Sequence, residues 1–180
     1  MPIEHSLHSP RLIPFPLSAE QLNLILQNIA LLEDALALSI VVELVTPPVR
    51  RAITMKLGKM TDAPPSDLPW YTYWLIIVKQ DDVRTGSGLV GFKGTPDEAG
   101  SVEIGYGIDP AFRGKGYMTE AVQALITWAF QYKHCQVVTA NRVLKSNLAS
   151  SHVLLKVGMM LCGEDAKSYS YQISREDWKG

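Results

Sequence analysis

The stretch Val102-Glu-Ile-Gly-Tyr-Gly-Ile-Asp-Pro-Ala-Phe-Arg-Gly-Lys-Gly-Tyr-Met-Thr-Glu-Ala121 changes its periodicity part-way along. Val102, Ile104, Tyr106 and Ile108 alternate with Glu103, Gly105 and Gly107, the pattern of a strand with one packed face and one nearly bare face. Two glycines and a carboxylate on the bare face let another group approach the backbone closely. From Met118 the apolar residues Val122, Leu125, Ile126, Ala129 and Phe130 recur at helical spacing, so this strand feeds a helix. Between the two, Asp109-Pro-Ala-Phe-Arg113-Gly-Lys-Gly116 supplies glycines that let backbone N–H groups converge on the first helical turn, where the dipole favours an anion. Arg113 and Lys115 add local positive charge. The same residues also make a tight turn with solvated basic side chains. A Walker A loop needs Gly-Lys followed by Ser or Thr, but Lys115 precedes Gly116, and a dinucleotide G-x-G-x-x-G would need glycine at Thr119. A phosphate held here therefore belongs to another carrier.

Toward the C-terminus, 136–140 reads as a short strand, 147–157 as a helix stopped by Gly158, 159–162 as a strand, and the alternation of Tyr169, Tyr171 and Ile173 as a final half-buried strand. Toward the N-terminus, 70–78 is dense in aromatic and β-branched residues and reads as a strand. A second strand at 88–93 forms an antiparallel hairpin with 102–108 across the turn-rich residues 94–100. Residues 62–69 form a loop, and helical stretches are expected over 49–60 and 31–44. Ser18-Ala-Glu-Gln21 has the form of a capping box and opens a further helix, after an extended segment at 11–16. Lys133 and His134 are suited to the negative end of the long helix.

The 180 residues are 47% apolar, enough for one substantial core, and read as a single domain over 1–180 with a flexible terminus at 1–10. The 17 basic and 18 acidic side chains nearly cancel, which excludes a global field for nucleic acid or an anionic membrane. Cys135 and Cys162 lack metal or disulfide spacing and read as buried free thiols. Neither a signal peptide nor a membrane span is found, so a cytoplasmic location is expected.

The run Val102–Ala121 resembles the signature of the GNAT superfamily of N-acetyltransferases, in the branch of the ribosomal-protein-alanine N-acetyltransferases. That branch joins an E-I-G-Y strand to an R-G-x-G loop and a T-E-A helix. Downstream, Asn147-Leu-Ala-Ser150 and Lys156-Val-Gly158-Met resemble its N-x-x-S and K-x-G-F elements. The resemblance extends over about Leu12 to Ile173 and is specific between Val102 and Gly158. It implies an α/β fold of one domain, with helices on both faces of a mixed sheet splayed between two parallel strands. Acetyl-coenzyme A as cosubstrate would pair its pantetheine arm with backbone near Ile108 and meet Arg113, Gly114, Lys115, Gly116, Tyr117 and Met118 with its pyrophosphate. No metal is implied.

The resemblance also implies roles for three side chains, each with a simpler reading beside it. Glu103 is placed where relatives carry a catalytic carboxylate, and is also suited to an ion pair. Ser150 is a candidate proton donor to the coenzyme sulfur, or a hydroxyl bonded within its own helix. Asn147 is a helix cap, a pantetheine ligand, or both. Two departures stand out: Met118 replaces a small residue, and Leu154 replaces the tyrosine that serves many relatives as a general acid. His5, His8, His134 and His152 are assigned no catalytic role. Trp70, Tyr71, Tyr73 and Trp74 belong either to an acceptor pocket or to the core.

The implied reaction moves an acetyl group onto a primary amine, either a protein N-terminus or a small molecule, by direct attack in a ternary complex of a monomer or homodimer. The competing class is a catalytically silent acyl-coenzyme A-binding module.

Overall fold

Trp74-Leu-Ile-Ile-Val78 is apolar without interruption because both faces of its strand are covered. Trp74, Ile76 and Val78 face one buried cluster, and Leu75 and Ile77 face another on the opposite side of the sheet. The computed structural model describes Leu7 and residues 11–180, so the expectations for His5, His8 and all of the 1–10 terminus except Leu7 lie outside the described residues. Eight strands run in the order β1 (Leu12–Pro16), β3 (Trp74–Gln80), β4 (Val83–Phe92), β5 (Ser101–Ile108), β6 (Val137–Leu144), β8 (Ser168–Ser174) and β7 (Met160–Glu164), with β2 (Ser39–Ile40) beside β4. Helices α1 (Ala19–Gln27), α2 (Ile29–Leu36) and α3 (Pro47–Thr61) cover one face. Helices α5 (Tyr117–Ala129) and α6 (Leu148–Lys156) cover the other, and α4 (Leu68–Tyr71) leads into β3.

The sheet is mixed, and its one break in pairing decides what it can hold. β5 pairs with β4 from Gly88↔Ile108 to Phe92↔Ile104, but with β6, in parallel, only over Ser101↔Val137, Val102↔Val138 and Glu103↔Thr139. Beyond Glu103 the two strands part. β6 continues against β8, bent by a register shift between Ala140 and Val143 where Arg142 takes φ 56°. The gap opens toward the end of β5 from which α5 departs.

Several expectations need correction. Trp70 and Tyr71 lie in α4 and not in a strand, with Pro69 in its first turn, and the Trp70 ring packs 4.5 Å from that of Trp128. The strand begins at Trp74. The helix expected over 31–44 ends at Leu36, because Ala37 turns left-handed (φ 51°) and β2 pairs in parallel with Thr85 and Gly86. β4 starts at Val83 and not at residue 88. α5 ends at Ala129, which leaves Lys133 and His134 beyond its last turn. Cys135 is buried as expected, but Cys162 is exposed on the edge strand β7.

Candidate active site

Three elements converge where β5 and β6 part. Ile104, Tyr106 and Ile108 form the edge of β5 that faces the gap. The odd residues point their backbone groups at β4, as the bonds from Lys93 N–H to Glu103 C=O and from Asp109 N–H to Ser87 C=O show (both 2.9 Å). Val102 and Ile104 are buried, and Tyr106 and Ile108 pack partly against the same core. On the opposite face, a Cβ added at Gly105 or Gly107 would meet nothing within 4 Å.

The loop that follows places Gly114 at φ +73° and Gly116 at φ +84°, and Gly116 caps the N-terminus of α5. Arg113 turns back so that its Nε–H donates to the Ile108 carbonyl at 3.4 Å. The Lys115 ammonium lies 5.5 Å over the Phe112 ring. Tyr117 and Met118 are both buried, so the large side chain of Met118 fills the core and is not presented at the loop's outer surface. The Tyr117 hydroxyl accepts a hydrogen bond from Gln80 Nε2 at 3.2 Å.

A cavity of about 640 Å³ lies against this end of β5, walled by residues 43–46 before α3 and Val49 in its first turn, by Tyr73 and Leu89, and by residues 106–110. Of the residues expected in the site, Ile108 and Arg113 line it. Asn147 and Ser150 sit at the first turn of α6, where Asn147 Oδ1 accepts the Ser150 N–H at 3.1 Å, as a helix cap does. Tyr106 joins this turn to the cavity, because its hydroxyl donates to the Ser150 carbonyl at 3.1 Å. Burial pushes the Tyr106 hydroxyl up to about 12, so it stays a hydrogen-bond donor through the neutral range. Glu103 stands outside the cavity wall, and its carboxylate accepts from the Lys93 ammonium at 2.5 Å. Leu154 is fully buried and has no polar group to offer.

Sequence reading passed over Tyr106 because its alternation matched the packed face of β5, and it left Tyr73 open between pocket and core. Trp70 and Trp74 are core, whereas Tyr73 lines the cavity with Lys56 Nζ 4.5 Å from its ring centre. Lys56 is buried, donates to the carbonyls of Phe92 (2.5 Å) and Tyr71 (3.3 Å), and is pushed down to about 7 by burial and by Lys59 and Lys93. A lone lysine on a helix gives no sequence signal of this kind. His152 is exposed. No group of three or more His, Cys, Asp or Glu able to hold a metal occurs among the described residues. No helix among them is long and apolar enough to cross a membrane.

The sequence profile of the acetyltransferase (GNAT) domain matches residues 16–160. The chain belongs to the GNAT acetyltransferase family. It is 41% identical over 92 residues to the uncharacterized N-acetyltransferase YjdG of Bacillus subtilis (strain 168), a match covering 51% of this chain. The chain spans about half, 54%, of that relative's length. Among solved structures, the ribosomal-protein-S5-alanine acetyltransferase from Vibrio fischeri superposes with a TM-score of 0.62 at 18% identity, covering 96% of this chain and 98% of the other. The microcin C7 self-immunity acetyltransferase MccE, solved with acetyl-CoA and AMP, gives a TM-score of 0.59 at 18% identity, covering 92% and 93%. At these identities the likeness is one of fold, and the splayed parallel pair β5 and β6 is the GNAT arrangement expected from the sequence.

Proposed function

We propose that this GNAT acetyltransferase moves the acetyl group of acetyl-coenzyme A onto a primary amine by direct attack in a ternary complex. The observation that carries the reading is the parting of β5 from β6 after Glu103, next to a loop with two left-handed glycines at the start of α5. The unpaired edge of β5 suits a pantetheine arm, whose amides need backbone partners. The N–H groups of Gly114 to Met118, with Arg113 and Lys115, suit a pyrophosphate. An open surface at Gly114, where an added Cβ would meet nothing within 4 Å, leaves room for close approach.

Bound there, acetyl-coenzyme A supplies a thioester acyl group. The chain's own residues have three tasks. One is to hold the amine in the cavity between β5 and residues 43–46 with Val49, so that attack is effectively unimolecular. The second is to take a proton from the acceptor ammonium, which we assign to Glu103 acting through water, since its carboxylate stands outside the cavity wall, with Lys93 keeping it oriented. The third is to pass to the departing sulfur the second proton, which the nitrogen gives up as the amide forms and the C–S bond breaks; we assign this relay to the hydroxyl of Ser150 on the first turn of α6, which gives one proton to sulfur and regains one from nitrogen. We assign Asn147, besides its capping of α6, to the pantetheine arm as a ligand.

The test is release of free thiol from acetyl-coenzyme A in the presence of a panel of peptides and small amines, with mass spectrometry of the acetylated product. Thiol release matched by amine acetylation supports the proposal. Saturable coenzyme binding with no amine-dependent release across the panel would favour the silent binding module.

A further inference from the structure

Arg11, immediately before β1, meets the first turn of the neighbouring helix α5. Its Nε–H donates to Glu120 Oε1 at 2.7 Å, Nη2 bonds the same oxygen, and the guanidinium carbon lies 4.9 Å over the Tyr117 ring. Nη2 also stands 3.1 Å from the position that a Cβ on Gly116 would take. Glycine at 116 therefore allows a guanidinium to lie against the loop backbone. The placement runs against simple electrostatics, since the N-terminus of a helix carries partial positive charge and repels a cation. Glu120 offsets the charge of Arg11, but Arg113 and Lys115 bring two more positive charges to the loop that leads into this turn. The concentration of positive charge makes sense if an anion of more than one charge completes it.

We infer that Arg11 is a third basic ligand of the phosphate site, contacting the nucleotide end of the acyl carrier. Arg11 thereby selects an acyl group borne on coenzyme A over the same group on bare pantetheine. This rests on the proposed binding of the coenzyme pyrophosphate at Arg113–Met118. Glu120 is the counter-charge of Arg11 in the absence of ligand, and its carboxylate sets a negative charge beside the phosphate site.

Calorimetric titration with acetyl-coenzyme A, and Michaelis constants for acetylpantetheine, should be measured for the parent, Arg11→Gln and Glu120→Gln. Arg11→Gln is expected to weaken acetyl-coenzyme A binding by about 10-fold or more, to lessen its salt dependence, and to leave the acetylpantetheine constant unchanged. Glu120→Gln, which removes a negative charge from the phosphate site, is expected to bind acetyl-coenzyme A at least as tightly as the parent. If the Arg11–Glu120 pair only ties β1 to α5, the two variants lose affinity and thermal stability alike, and the inference is overturned. Parent-like affinity in Arg11→Gln overturns it too, while leaving the pyrophosphate site intact. A parent that does not bind acetyl-coenzyme A overturns the underlying reading and this inference with it.

Discussion

Gly107→Val is the substitution for which stability and function should move most clearly apart. Gly107 pairs with Leu89 of β4, lines the cavity, and keeps φ outside the left-handed region that only glycine tolerates well. A Cβ there meets nothing within 4 Å, so the added side chain enters open space and displaces no neighbour. Glycine inside a strand costs roughly 0.5–1 kcal/mol relative to alanine, and a β-branched residue suits a strand better still. Folding stability is therefore expected to stay level or to rise by about that amount. Binding should move the other way, because overpacking a closely fitted contact costs about 1–3 kcal/mol, equivalent to roughly 5- to 150-fold in affinity. The assay is urea unfolding alongside calorimetry with acetyl-coenzyme A and the Michaelis constant for one good amine. A folded Gly107→Val protein whose two affinities both stay within about twofold of the parent's would refute the placement of ligands against β5.

Glu103→Gln is expected to lower the maximal rate by roughly 10²- to 10⁴-fold with coenzyme affinity nearly unchanged, and the loss should shrink as pH rises and neutral amine becomes abundant. A pH profile parallel to the parent's with an undiminished maximal rate rules out the base role and leaves Glu103 as the ion-pair partner of Lys93. Lys56, held near 7 in the fold against an ordinary 10.5, binds fewer protons folded than unfolded between those values, so stability should increase as pH rises through that window. Urea titrations of Lys56→Met across the same range should lose that slope; a slope equal to the parent's would assign the dependence to other groups. Of the two cysteines, exposed Cys162 should react with a thiol reagent in the native state, while buried Cys135, pushed up to about 11, should react only on unfolding. Equal native labelling of both would contradict the core packing around Cys135.

What could be read from sequence was local. The capping box at Ser18 and Gln21 forms in both directions, at 3.1 and 2.8 Å, because its partners lie within one helical turn. β5, the glycine loop and α5 were legible for the same reason: period two, backbone freedom and period 3.6 follow one another in a single stretch. The misreadings arose where distant residues decide. Trp70 was drawn out of the expected strand by Pro69 and by packing on Trp128, and Ala37 ended α2 because Ile40 pairs with β4. The partners of the candidate site were illegible on similar grounds. Arg11 meets Glu120 across 109 positions, Tyr106 meets Ser150 across 44, and the cavity's outer wall comes from residues 43–46 and Val49, which have no regular period.

The measurement that bears most directly on the central claim is a backbone amide chemical-shift titration with acetyl-coenzyme A. With the pantetheine arm on the open edge of β5 and the pyrophosphate on the first turn of α5, as proposed, saturable shifts are expected at the amides of Ile104, Tyr106 and Ile108 and of Gly114 to Met118, with α6 around Asn147 and Ser150 responding in step. Saturable shifts confined to other surfaces, such as the edge strand β7, or no saturable shifts at all, would contradict it.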